Sequence, residues 1–114
     1  MMQNTSRHEI GELLDQTHSD DARERNEALR VLCPCHVKYN NSRVWDRVLE
    51  MAADPDVKVR GTVLHVLCDG SPRERNAAVV AAVERLQHDS DEKLRRRARK
   101  VMAQYRKTGN INVL

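Results

Sequence analysis

"DPDVKVRGTVLHVLC", residues 54–68, decides how this chain is read, because it occurs three times in altered form. "SDDARERNEALRVLC" starts at Ser19 and "DSDEKLRRRARKVMA" at Asp89, so both offsets are 35 residues and no gap is needed. The columns Asp21/Asp56/Asp91, Arg25/Arg60/Arg95, Ala28/Val63/Ala98, Val31/Val66/Val101 and Leu32/Leu67/Met102 keep their chemical character. A fixed period of this size is the signature of a stacked array, in which each unit buries its apolar face only against its neighbours.

The segments read as helices. In the third, Leu94, Ala98, Val101, Met102 and Tyr105 recur at helical spacing. Each is preceded by a second apolar-periodic stretch, with Ile10/Trp45/Val80 and Leu13/Val48/Val83 in register. Ser6-x-x-Glu9 and Ser71-Pro72-Arg73-Glu74 have the form of capping boxes, the latter with Pro at the first helical position. Asp54-Pro55 and Asp89-x-x-Glu92 are expected to open the second helices of units two and three. Breakers fall between helices at Cys33-Pro34, Tyr39-Asn40-Asn41, Asp69-Gly70 and Thr108-Gly109. Three helix pairs are therefore expected, over about residues 6–35, 42–70 and 71–107, within one domain of residues 1–107 and with a tail at 108–114.

Asp-Pro-Asp-Val-Lys-Val-Arg60 followed by an apolar helix resembles the second helix of a HEAT-like (armadillo-type) repeat, and the resemblance covers roughly residues 6–107. It implies an all-α fold, a right-handed α-α superhelix of three helix pairs with the second helices on the concave side. It also implies that Asp and Arg of the motif tie neighbouring repeats together, a role that falls on Asp54, Asp56 and Arg60 and on Asp89, Asp91 and Arg95. Units one and three depart from the pattern, with Ala22 and Glu24 for Val57 and Val59, and Arg99 for Leu64. Such lapses suit terminal units whose outer faces meet water.

Composition narrows the class. The chain has 114 residues, enough for one domain with a real core, and lacks Phe, so Val, Leu, Ala and Met must build that core. No stretch approaches the roughly 18 apolar residues of a membrane span. The polar N-terminus lacks the apolar run of a signal peptide, so a cytoplasmic location is expected, and three cysteines do not suggest a disulfide framework. The net charge of +3 is uneven: residues 1–88 hold 12 Lys/Arg against 14 Asp/Glu, whereas residues 89–114 hold eight against three. A local basic field of this kind suggests an acidic partner.

Cys33-Pro34-Cys35-His36 is the one stretch that looks like chemistry. Cys33 and Cys68 share a column with Ala103, which reads as a small buried position, since Cys behaves as a small hydrophobe. Cys33, Cys35, His36 and Cys68 also form a candidate Cys₃His set for zinc, although C-x-C is tighter than the usual zinc pairs. A Cys33–Cys35 or Cys33–Cys68 redox switch is the third reading. No cofactor is expected, zinc being the one candidate. His8, His18 and His88 read as exposed polar residues at helix ends, and Trp45 as core. No catalytic triad or Gly-rich phosphate loop is present, so no enzymatic activity is expected.

Removing the apolar columns from the second helices leaves ladders rich in basic residues. The candidate partner-binding positions are Arg23, Arg30, Lys58, His65, Lys93, Arg96, Arg97 and Lys100. The expected function is a non-catalytic scaffold binding an acidic protein partner through this face. The alternative is duplex nucleic acid held by its phosphates; the chain's three aromatics offer little for base stacking. A metal-binding or assembly factor using the Cys/His cluster is the more distant reading.

Overall fold

The computed structural model describes residues 7–33 and 41–114, and these form six α-helices with no strand among them. The helices are α1 (Arg7–Gln16), α2 (Ala22–Val31), α3 (Ser42–Glu50), α4 (Val57–Leu67), α5 (Asn76–Leu86) and α6 (Glu92–Thr108), with short 3₁₀ turns at Met51–Ala53 and Arg73–Arg75. Within each unit α1 packs on α2, α3 on α4 and α5 on α6. Between units α1 meets α3 and α3 meets α5 in one layer, while α2 meets α4 and α4 meets α6 in the other. The core lies between the layers. The columns Ala28/Val63/Ala98 and Leu32/Leu67/Met102 are buried throughout, and Trp45 is core as expected. No helix among the described residues is long and apolar enough to cross a membrane.

Three equivalent arginines brace their own helices, and two of them also bond the next unit. Arg25, Arg60 and Arg95 each donate Nη1 to two backbone carbonyls just upstream of their own helix. Arg25 also donates Nε and Nη2 to the Asp54 carboxylate, both at 3.0 Å, and Arg60 makes the same fork to Asp89 at 2.8 and 3.0 Å. Planar guanidinium and carboxylate groups fit as such a bidentate pair. On the other layer, Arg47 donates to the Thr17 hydroxyl and carbonyl, and Arg75 bonds Asp46 and Ser42.

Several boundaries differ from expectation. Asp54 and Asp89 do not open α4 and α6; Asp56 and Asp91 are the N-caps, accepting from their own helices. Asp54 and Asp89 sit two residues earlier, accept the backbone N–H of the cap residue, and receive the arginine of the preceding unit. The inter-repeat role thus falls on the first aspartate, while the second acts within its own helix. Ser71 does not cap α5, which begins only at Asn76 after a 3₁₀ turn. Its N–H and hydroxyl are claimed instead by the Asn112 side-chain oxygen. Ser6, the other expected cap, lies outside the described residues.

The column Cys33/Cys68/Ala103 is buried in the first two units only. Ala103 is exposed, because α6 runs on to Thr108 and the flank bearing position 103 faces water. Val31 is likewise 41% exposed where Val66 and Val101 are buried. After α6, Gly109 takes φ +73°, a conformation that L side chains rarely adopt, and so ends the helix. The following residues fold back onto the core: Ile111 is buried, and the Leu114 N–H donates to the Cys68 carbonyl at 3.0 Å.

Candidate functional site

Laying α2, α4 and α6 side by side leaves a groove of about 670 Å³ along their outer surface. Its position follows from the columns. Ala28, Val63 and Ala98 turn inward, so residues on the opposite flank of each helix face the open side. Gly61 lies midway along the floor, where the Arg97 guanidinium comes within 3.5 Å of a notional Cβ. Across the first two units the Thr62 hydroxyl donates to Asn26 Oδ1 at 2.6 Å and fixes α4 against α2.

Four permanent cations line the groove, Arg30, Lys58, Lys93 and Arg97; among the described residues Asp91 is the one carboxylate lining it, and Asp69 borders its end beside Cys33 and His65. Asp91 already accepts the Leu94 N–H as the N-cap of α6. All four cations are exposed, and none forms a salt bridge to a described residue. On an open concave surface such like charges raise the local concentration of anions. The floor is partly apolar, with Val57 38% exposed and Val66 and Leu94 beneath it. Among the described residues the one ring that lines the groove is the His65 imidazole; Trp45 is buried between the layers and Tyr105 is half-buried elsewhere on α6.

Of the positions expected to bind a partner, the groove brings together Arg30, Lys58, His65, Lys93 and Arg97. Arg23 lies over an adjoining depression of mixed charge that holds Asp21, Glu24 and Glu27 and that Arg30 and Lys58 also border. Arg96 and Lys100 are exposed on α6 but do not line the groove, and Arg96 pairs with Glu92 one turn away.

At the end of the groove formed by the helix C-termini, Cys33 follows α2 and His65 sits in the last turns of α4. Asp69, just past α4, accepts there through a single oxygen. The Cys33 thiol donates to its Oδ2 at 3.4 Å, and His65 Nε2 lies 3.3 Å from the same atom. The sequence had suggested Cys33, Cys35, His36 and Cys68 as companions. Cys35 and His36 lie outside the described residues, and Cys68 is fully buried as the C-cap of α4 rather than part of this cluster. Burial pushes the Cys68 thiol up to about 12, against a weak opposing pull from Arg97. His18 and His88 are exposed, as expected.

The family model for HEAT repeats matches residues 10–103. Among curated proteins and solved structures, none matches the chain.

Proposed function

Since this chain belongs to the HEAT-repeat family, whose repeats commonly serve as protein-interaction modules and generally as non-catalytic scaffolds, we propose that it binds an acidic protein segment along the groove of its second helices. The observation that carries this reading is the charge of the groove. Arg30, Lys58, Lys93 and Arg97 converge on one concave surface, and none of them is paired with a described carboxylate, although Asp91 lines the groove and Asp69 borders its end. The exposed Val57 on its floor favours a segment with an apolar side chain among its carboxylates. A phosphate backbone offers nothing to that apolar surface.

The test is fluorescence anisotropy with two labelled probes, an acidic amphipathic peptide and a random-sequence DNA duplex, each titrated at several salt concentrations. The peptide is expected to bind, and more weakly as salt rises, because the screening length shrinks from about 10 Å at 0.1 M to about 3 Å at 1 M. Combined Lys58→Glu, Lys93→Glu and Arg97→Glu substitution is expected to remove binding while preserving helicity. Tighter binding of the duplex, with a log–log salt slope of about −0.9 per phosphate neutralised, would assign the groove to nucleic acid instead. Unchanged peptide binding by the triple variant would move the site away from the groove.

A further inference from the structure

We propose that Cys33, His65 and Asp69 form a binding site for a thiophilic divalent ion, zinc by class, at the end of the groove. One ligand atom from each of the three residues lies within 4.8 Å of the others. Two of the three separations can be set against metal geometry. With Zn–S about 2.3 Å and Zn–N and Zn–O about 2.0–2.1 Å, a tetrahedral ion requires S···O and N···O edges of about 3.5 and 3.3 Å. The corresponding separations are 3.4 Å from Cys33 Sγ to Asp69 Oδ2 and 3.3 Å from His65 Nε2 to the same oxygen. The third edge, S···N, needs about 3.5 Å for the same ion. It can close by rotation of the His65 side chain, which is 49% exposed and so has room to turn.

The donor set specifies the class of ion. A thiolate with an imidazole selects zinc and similar borderline-soft ions over magnesium or calcium, which prefer oxygen. Charge agrees as well. On binding, the Cys33 S–H bond breaks, the sulfur keeps the electron pair and bonds the metal, and the proton leaves to solvent. The doubly charged ion is then balanced by one thiolate and one carboxylate, so the filled site is neutral, one unit more positive than the Asp69 carboxylate alone. The three ligands come from two units, since Cys33 follows α2 whereas His65 and Asp69 belong to α4 and the turn after it. An ion here would join units one and two. Cys33 and His65 both line the groove.

The competing arrangement is a hydrogen-bonded trio in which Asp69 accepts from both the thiol and the imidazole and no ion binds. Calorimetric titration of the full metal-stripped chain with zinc chloride separates the two, together with the absorption spectrum after cobalt(II) addition. The expected result is one zinc per chain with release of a proton, and a thiolate-to-cobalt charge-transfer band that disappears in Cys33→Ser. His65→Ala and Asp69→Asn, both at solvent-reached positions, are each expected to weaken zinc binding at least tenfold while melting like the parent without metal. His18→Ala and His88→Ala serve as controls and are expected to bind as the parent does. No zinc uptake by the parent would overturn the proposal. Zinc binding that survives both His65→Ala and Asp69→Asn would also overturn it, by placing the ion on other residues. Because the readout is the ion alone, it is independent of whether the groove holds an acidic segment.

Discussion

Arg60→Ala and Arg95→Ala, made separately, isolate the bond between repeats using the molecule's own control. Both side chains donate Nη1 to two carbonyls, Arg60 to those of Asp54 and Pro55 and Arg95 to those of Asp89 and Ser90, at matching distances of 2.9 and 3.2 Å. Only Arg60 adds the fork to Asp89, whose side chain is 9% exposed. Arg95 has no carboxylate hydrogen-bonded to it among the described residues. The backbone bonds should cost about 1–2 kcal/mol in either variant, at roughly 1 kcal/mol per bond or somewhat less. Two charge-assisted bonds at about 1.5–3 kcal/mol each give the upper limit for the fork. Partial exposure of the pair and the Asp91 N–H that still serves Asp89 reduce this. The gap between the variants is therefore expected near 2 kcal/mol, or roughly 8 °C in Tm for a domain of this size. Urea unfolding followed by circular dichroism measures it, and a cycle with Asp89→Ala should return a coupling energy of about 1–3 kcal/mol. Arg60→Lys should restore little, because an ammonium cannot form the fork. If the two arginine variants lose stability equally to within about 0.5 kcal/mol, the fork does not hold the units together and the reasoning fails.

Three further outcomes are expected. Gly61→Ala should stabilise the chain by about 0.5–1 kcal/mol in thermal or urea unfolding, since Gly61 is inside α4 and a Cβ there meets Arg97 only at ordinary van der Waals distance; a loss would mean that Arg97 cannot yield. Acid should destabilise the fold through Asp54 and Asp89. Burial pushes the Asp54 carboxyl up, but its bonds from Arg25 and the Asp56 N–H outweigh that and hold it below its ordinary value; the Arg60 fork does the same for Asp89. Lowered folded-state values mean that this stabilisation is present above the unfolded value near 4 and is lost as pH falls below it; the drop in Tm from pH 5 to 2 should therefore be smaller in Asp89→Asn, and an equal drop would count against the assignment. Asn112→Ala should cost about 1–2 kcal/mol and speed amide exchange at Ser71, because one side chain accepts from Gly70 and Ser71 and donates back to the Ser71 carbonyl. Unchanged exchange would show that the C-terminal residues do not clamp this turn.

The repeat makes most of the fold legible in the sequence itself. An apolar column constrains burial in each unit, and Ala28, Val63 and Ala98 obey it fully. What the sequence could not resolve were choices between chemically equal candidates. Asp54 and Asp56 are both sound caps in isolation. The choice is made by an arginine 29 residues upstream, which takes Asp54 and leaves Asp56 to the helix. Ser71 was misread for the same reason: its partner Asn112 lies 41 residues away, and local patterning carries no trace of it. Asp69 was read only as a turn residue beside Gly70. Its meeting with Cys33 depends on the lateral packing of α4 on α2, which sets the end of one helix beside the end of the next. The groove cations were partly legible, but the ladders could not say that Arg96 would turn to Glu92 while Arg97 lies over Gly61.

The basic residues of the second helices thus divide into two sets with different work. Arg25, Arg60 and Arg95 are half-buried and bound to carbonyls or carboxylates, so their charge is consumed within the scaffold. Arg30, Lys58, Lys93 and Arg97 are exposed on the same helices and enter no salt bridge with a described residue. Folding alone gives no reason to gather like charges on one concave surface, since their mutual repulsion opposes the compact state. The two sets should accordingly respond in opposite ways. Removing a scaffold arginine lowers stability, whereas reversing a groove cation relieves repulsion and should leave stability within about 0.5 kcal/mol or raise it. A stability loss from Lys58→Glu comparable to that from Arg60→Ala would place the groove cations in the scaffold as well, and would remove the physical ground for assigning them to a partner.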